Sequence, residues 1–400
     1  MSWRHQLPVL SPVSSRMIAH GMGAVLGFQS DSRERTNTVL RERYNAHHSL
    51  LTDSGTSALI LALRQLLPAR GTVAFPAYAC SDLASAAIGA GMRVRLYDID
   101  PATLSADLDS VRQVVKRGVD GIVVSHLYGY PADVPGVQQI ASERGVPVIE
   151  DAAQGAGGSL RGSRLGALAE VSILSFGRGK GTTSGSGGAV LLRTPGSADW
   201  PPRVSAALGS PSLGAAEIFA LAAQRLLSHP LLYRLPASIP GLRLGEMVYH
   251  PPRDPRPMAV ASAAALRLAL GLEEVEHSAR CAHASELLTQ ISAASDAVAV
   301  RPISGGKSGY LRFALLDTLG DRVPRPALGA LRGYPMTLDQ HRELSGLLVE
   351  GERAGKGSEF LRERLFTIPT HSLVGRSDLA RLRDWLLRAS SVSRALAPAF

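Results

Sequence analysis

Between about residues 49 and 193, short β-branched apolar runs alternate with longer stretches in which apolar residues recur every three or four positions. The short runs, at 49–52, 72–75, 94–98, 121–125, 146–150, 171–176 and 189–193, are predicted as strands. Between them, Leu59, Leu63 and Leu66, and then Val111, Val114 and Val115, mark helix faces. This alternation predicts βαβ units and a mostly parallel α/β sheet covered on both sides. Ligands of such sheets gather at the carboxyl ends of the strands, so the residues just beyond each run are where chemistry is expected.

The pattern then changes. Proline, glycine and serine clusters (Pro201-Pro202, Ser210-Pro211-Ser212, Pro240-Gly241, Pro251-Pro252) enclose a helical run at 215–227 with a continuation around 231–235. Its apolar Ile218, Leu221, Leu226 and Leu227 suit packing against the body of the protein, a partner subunit and lipid being the alternatives. From 258 a long helix (259–288), strand-like runs (298–300, 310–314, 365–369) and a terminal helix (379–389) describe a smaller α+β unit. The expected organisation is an N-terminal segment (1–48), a large α/β domain (49–194), a linker with inserted helices (195–257) and a small C-terminal domain (258–400).

Composition narrows the function classes. With 45% hydrophobic and 19% charged residues in 400, the chain is neither disordered nor collagen-like. The formal charge of +9 suggests a polyanion, but 39 of the 43 basic residues are arginines, scattered among acids, with no zinc-finger or RNA-binding signature. Nucleic acid is therefore not expected; a small anionic substrate is compatible. Cys80 and Cys281 lie too far apart for a metal motif or a disulfide framework and fit a reducing compartment. No metal-ligand spacing occurs among His47, His48, His229, His250 and His283. Residues 10–27, the most apolar stretch, are interrupted by Arg16 and His20, and the N-terminus does not read as a signal peptide, so a cytoplasmic location is expected. Gly305-Gly306-Lys307-Ser308 is like the end of a P-loop, but Arg301 stands where its first glycine belongs.

Three strand ends carry the chemistry. The first runs into Asp53-Ser54-Gly55-Thr56-Ser57, a helix start with free N–H groups suited to a phosphate. The fifth ends in Asp151-Ala152-Ala153-Gln154, whose carboxylate needs a cationic partner. The sixth leads through Ser175-Phe176-Gly177-Arg178-Gly179 to Lys180, one of only four lysines. A phosphate cradle, a carboxylate and a glycine-framed amine are what pyridoxal 5′-phosphate (PLP) requires.

These stretches, with Phe75-Pro76-Ala77-Tyr78, Tyr97-Asp98-Ile99-Asp100, His126-Leu127-Tyr128-Gly129-Tyr130-Pro131-Ala132-Asp133 and Gly187-Gly188-Ala189, run in the order found in the DegT/StrS family. The chain resembles these fold-type I PLP-dependent aminotransferases over about residues 49–193, with weaker similarity, including Pro369-Thr370-His371, to the end. The resemblance implies a homodimer with active sites at the subunit interface. It also implies amino transfer from a donor such as glutamate to the keto group of a nucleotide-linked sugar or cyclitol. Ser54, Gly55, Thr56 and Ser175 would bind the phosphate, Asp151 the pyridine nitrogen and Gln154 the phenolic oxygen, with Lys180 the catalytic Schiff-base residue. His126 fits either buried hydrogen bonding or catalysis. The family's stacking aromatic is replaced by Cys80, leaving Tyr78 or Cys80 to cover the ring. Arg178 is suited to the phosphate or a substrate anion, and Arg256, in Pro255-Arg256-Pro257-Met258, replaces an asparagine that reaches the partner's phosphate. Another PLP reaction, or a non-catalytic regulator, is the alternative.

Overall fold

A computed structural model describes residues 4–28, 31–194, 200–237, 239, 248–291 and 296–396. Its largest sheet contains β1 (His48–Thr52), β2 (Thr72–Pro76), β3 (Arg93–Tyr97), β4 (Gly121–Ser125) and β5 (Val148–Asp151). After a short hairpin, β6 (Ser159–Leu160) and β7 (Ser163–Arg164), come its last two strands, β8 (Val171–Ser175) and β9 (Gly188–Leu192). The spatial order is β1-β9-β8-β5-β4-β2-β3, and only β9 runs against its neighbours. Helices α1 (Ser15–Val25) and α2 (Ser32–Tyr44) precede the sheet. Helix α3 (Gly55–Leu66) links β1 to β2, α4 (Asp82–Ala90) links β2 to β3, α5 (Leu108–Lys116) links β3 to β4, and α6 (Val134–Ser142) links β4 to β5.

Both faces of this sheet are covered, which is why its central strands read as continuous apolar runs. One face packs Val73, Phe75, Val123 and Ile149 against α3 and α4, and the other packs Ala74, Ile122 and Val124 against α5 and α6. Beyond β9 lie α7 (Trp200–Leu208), α8 (Ala215–Leu227) and α9 (Arg234–Ala237), and then the 32-residue α10 (Val260–Ile291). The Pro240-Gly241 cluster lies outside the described residues. Ile218 and Leu221 of α8 are buried against α1 and α10, whereas Leu226 is exposed.

The C-terminal region adds β10 (Ala297–Ala299), β11 (Gly306–Lys307), β12 (Phe313–Asp317), β13 (Leu331–Arg332), α11 (Lys356–Arg364), β14 (Leu365–Ile368) and α12 (Arg376–Leu396). Strands β10, β12, β14 and β13 form a small antiparallel sheet, while β11 pairs with β6. The strand expected at 310–314 forms its ladder only from Phe313, because Tyr310 takes a left-handed φ of 43° in the turn that precedes it.

Candidate active site

The ends of β1, β5 and β8 converge on one cavity lined by Gly55, Thr56, Cys80, His126, Asp151, Gln154, Ser175 and Lys180. Helix α3 starts at its edge. Ser54 is the N-cap, with extended φ and ψ, and its hydroxyl accepts the Ser57 N–H at 3.0 Å. The first N–H groups of a helix have no intrahelical acceptor, so those of Gly55 and Thr56 remain for an anion. A Cβ on Gly55 would stand 2.6 Å from Ser175 Cβ, so only glycine lets the helix start meet the end of β8.

Asp151 closes β5. Its Oδ2 accepts the Ser125 hydroxyl at 2.9 Å and its Oδ1 accepts the Ala153 N–H at 3.0 Å, which fixes the carboxylate plane. Burial raises its pKa above the usual carboxylate value, outweighing those hydrogen bonds and the nearby Lys180. A cation at the cavity centre would reverse that balance.

The Lys180 loop depends on glycine: Gly179 and Gly181 have φ of 78° and 86°. Lys180 Nζ lies 3.7 Å from Asp82 Oδ2, at the start of α4. Burial works to lower the ammonium pKa, but the Asp82 and Asp151 carboxylates help to hold it above the ordinary value. Burial, helped by Asp82, pushes the Cys80 thiol up to about 12. Cys80 therefore presents a neutral, polarizable wall.

Gln154 is held from both ends. Its Oε1 accepts the Tyr128 N–H at 2.8 Å, and its Nε2 donates to the Tyr334 hydroxyl at 2.7 Å. One amide hydrogen of Nε2 is left over. Both nitrogens of His126 are engaged: Nδ1 accepts the Ala132 N–H at 3.0 Å, and Nε2, 2.9 Å away, donates to Glu150. His126 thus contributes its ring to the wall with no nitrogen free for proton transfer.

Four of the expected residues stand off the cavity wall: the Ser54 hydroxyl is taken up by Ser57, and Tyr78, Arg178 and Arg256 lie elsewhere. Tyr78 is fully buried behind it, its hydroxyl accepting the Tyr334 N–H at 2.7 Å. The covering role left open between Tyr78 and Cys80 thus has only Cys80 at the wall. Arg178 is exposed on the loop before Lys180. Arg256 is exposed as well, and its backbone pairs with Asp53 just outside the α3 start.

Sequence reasoning missed Ser125, Asp82 and Tyr334, which all line the cavity. Tyr334 arrives from the C-terminal sheet and stacks on Tyr128, with ring centroids 5.1 Å apart. A Cβ on Gly333 would fall 2.0 Å from the Tyr78 hydroxyl, so glycine there admits the tyrosine layer.

Residues 29–200 match the DegT/DnrJ/EryC1/StrS aminotransferase family. The chain is 30% identical over 196 residues to an L-glutamine:2-deoxy-scyllo-inosose aminotransferase of Streptomyces fradiae, covering 48% of this chain and 46% of the relative. It is 32% identical over 146 residues to a UDP-N-acetyl-3-dehydro-alpha-D-glucosamine 3-aminotransferase of Acidithiobacillus ferrooxidans, covering 36% and 40%. The alignments thus span less than half the length of these curated relatives. The fold matches the crystal structure of the sugar aminotransferase CalS13 from Micromonospora echinospora with a TM-score of 0.75, at 19% identity, covering 95% of this chain and 98% of that one. The family match thus covers residues 29–200, and the likeness in fold to CalS13 extends a fold-type I framework through the C-terminal sheet.

Proposed function

We propose that the chain holds PLP in this cavity and moves an amino group from an amino-acid donor, glutamate or glutamine, to the ketone of a cyclitol or nucleotide-linked sugar. One observation carries the reading: the Lys180 amine and the Asp151 carboxylate face a single cavity whose edge is the open N-terminus of α3. The acceptor class rests on the names of the relatives, a cyclitol and a UDP-sugar aminotransferase.

The residues fit the cofactor. The N–H groups of Gly55 and Thr56 and the Ser175 hydroxyl would hold its phosphate, Asp151 its ring nitrogen, and the spare amide hydrogen of Gln154 its phenolic oxygen. Bound there, it supplies an electron sink conjugated to the α-carbon of the donor. Lys180 is placed to anchor the cofactor and to take the proton from that α-carbon, with Asp82 at 3.7 Å stabilising the ammonium that results. Ser125 and the Ala153 N–H keep Asp151 aimed while charge develops.

We also read the chain as a homodimer. Ala216, Phe219, Ala220, Ala223 and Leu226 form an exposed apolar stripe on α8, whose opposite side is already buried. A helix apolar on both sides calls for a second covering surface, and the family resemblance supplies another copy of this chain as the occupant.

The test is absorbance and half-reaction. The protein incubated with PLP should show a visible band that glutamate or glutamine abolishes, and Lys180→Ala should fold, as judged by circular dichroism, without that band. A parent with no band, or Lys180→Ala with undiminished amino transfer, would sink the assignment.

A further inference from the structure

Gly177, Gly179 and Gly181 leave the loop that carries Lys180 with little stiffness of its own. Helix α10 holds it from outside: Arg280 Nη2 donates to the Gly181 carbonyl at 3.4 Å, and the Thr182 hydroxyl donates to Glu273 Oε2 at 3.0 Å. Thr182 and Glu273 are 5% and 3% exposed, so water does not compete for the second bond.

Glu273 also holds other elements. Its Oε1 accepts from Arg43 Nη2 at 3.0 Å, from the Gly157 N–H at 3.2 Å and from Arg164 Nη1 at 3.4 Å. All four partners are donors, and a carboxylate, which carries no hydrogen of its own, can accept from every one of them. Arg43 of α2 and Arg164 of β7 offset its buried charge. Gly157 lies three residues beyond Gln154, on the loop that leaves β5 after Asp151. That loop and the Lys180 loop touch, since a Cβ on Gly181 would stand 2.9 Å from Ala156 Cβ. Both press on α10 at this point: a Cβ on Gly157 would stand 2.7 Å from the His277 ring, and one on Gly181 would stand 3.2 Å from Arg280 Nη1. Glu273 therefore fastens the Lys180 loop and the Gln154 loop to one place on α10.

On the aminotransferase reading above, on which this inference rests, Lys180 anchors the cofactor and also moves a proton. Its side chain must swing while its Cα stays in place. A displacement of about 1 Å in a reacting group can cost about 100-fold in rate. We propose that Glu273 is a positioning residue: through the Thr182 hydroxyl it sets the place of Lys180 relative to Gln154 and Asp151. Glu273 is not part of the cavity wall and acts on the reaction only through the loop.

The test compares the parent with Thr182→Val, Thr182→Ser and Glu273→Ala, each checked for folding by circular dichroism. Thr182→Val keeps the side-chain shape and removes the bond, whereas Thr182→Ser keeps the hydroxyl. Pyridoxine 5′-phosphate has the ring and phosphate of PLP but no aldehyde, so its binding reports the phosphate cradle and Asp151, while PLP binding also needs the lysine. In Thr182→Val the PLP dissociation constant should rise about tenfold and the limiting rate with L-glutamate should fall about 10- to 100-fold, with the pyridoxine 5′-phosphate constant within about twofold of the parent. Thr182→Ser should lie close to the parent. Glu273→Ala should show the same split, and adding Thr182→Val to it should change the constants by no more than about twofold, because both remove one bond. If Glu273→Ala does not fold, the two threonine variants decide the matter. Without PLP, amide exchange across residues 180–185 reads the loop through the Ser184 N–H, bonded to the Phe176 carbonyl at 3.1 Å, and should be faster in Thr182→Val than in the parent or Thr182→Ser. Unchanged exchange, unchanged PLP binding, or an equal loss of PLP and pyridoxine 5′-phosphate would overturn the proposal. A parent that forms no visible band with PLP, while exchange changes as expected, would support the hold of Glu273 on the loop and overturn the reaction assigned to the site.

Discussion

The contact between Gly55 and Ser175 makes the phosphate cradle sensitive to a single methyl group. In Gly55→Ala the new Cβ would fall 2.6 Å from Ser175 Cβ, 2.9 Å from its Oγ and 3.3 Å from its Cα. Carbon atoms rest at about 3.5–4.0 Å, so α3 must retreat from β8 by about 1 Å. Overpacking of this kind costs about 1–3 kcal/mol, and the retreat also pulls the Gly55 and Thr56 N–H groups from a bound phosphate. The overpacking cost falls on the folded protein with or without PLP, so the part that reaches the PLP dissociation constant is the loss of about one charge-assisted hydrogen bond, about 1.5–3 kcal/mol, a rise of roughly 10- to 150-fold. Ser175→Gly removes the obstructing Cβ and Oγ, leaving the Cα at 3.3 Å as the nearest atom. The double variant should therefore bind PLP little worse than Ser175→Gly alone, with a coupling of about 2 kcal/mol in the relieving direction. Equilibrium PLP titrations of the four proteins, followed by visible absorbance, close the cycle. If the two effects add to within about 0.5 kcal/mol, the contact does not limit the cradle and the reasoning fails.

Two further outcomes follow from the same geometry. Because burial raises the Asp151 pKa in the cofactor-free protein, the folded state binds a proton there more tightly than the unfolded chain, and this group adds stability as pH falls. Cofactor-free Asp151→Asn should melt above the parent at neutral pH, and the gap should close as pH drops through the raised value towards the ordinary carboxylate value of about 4; a gap independent of pH would refute this. Phe219→Glu, at a site 77% exposed in one chain, tests the proposed homodimer: the parent should sediment as a dimer and the variant as a monomer at micromolar concentration with its circular dichroism intact, and a monomeric parent or a still dimeric variant would refute the α8 interface.

Strand ends were legible because the information is local. The run 146–149 is apolar, so the carboxylates that end it stand out: Glu150 turns inward to His126, and Asp151 closes β5. Ser54 before Gly55 reads as a helix start, and it is the N-cap of α3. Tyr78 was less legible. Residues 77, 78 and 79 are all fully buried where the chain passes from β2 towards α4, so alternation does not say which side chain reaches the cavity. Asp82 had a weak signal, an acidic residue in the first turn of a helix, which is most often only a favourable partner for the helix dipole.

Tyr334 had no local signal, and the reason lies in the topology. Tyr334 reaches the site through its contacts with residues 78, 128 and 154, all supplied by a sheet that pairs with none of its own neighbouring strands. Which loop of the small sheet faces the large one depends on the packing of β13 and β14 across Gly333, and no periodicity in either segment encodes that. The same arrangement divides the chemistry. The large sheet supplies the groups that fit a cofactor, while the small sheet brings Tyr334 to the cavity wall.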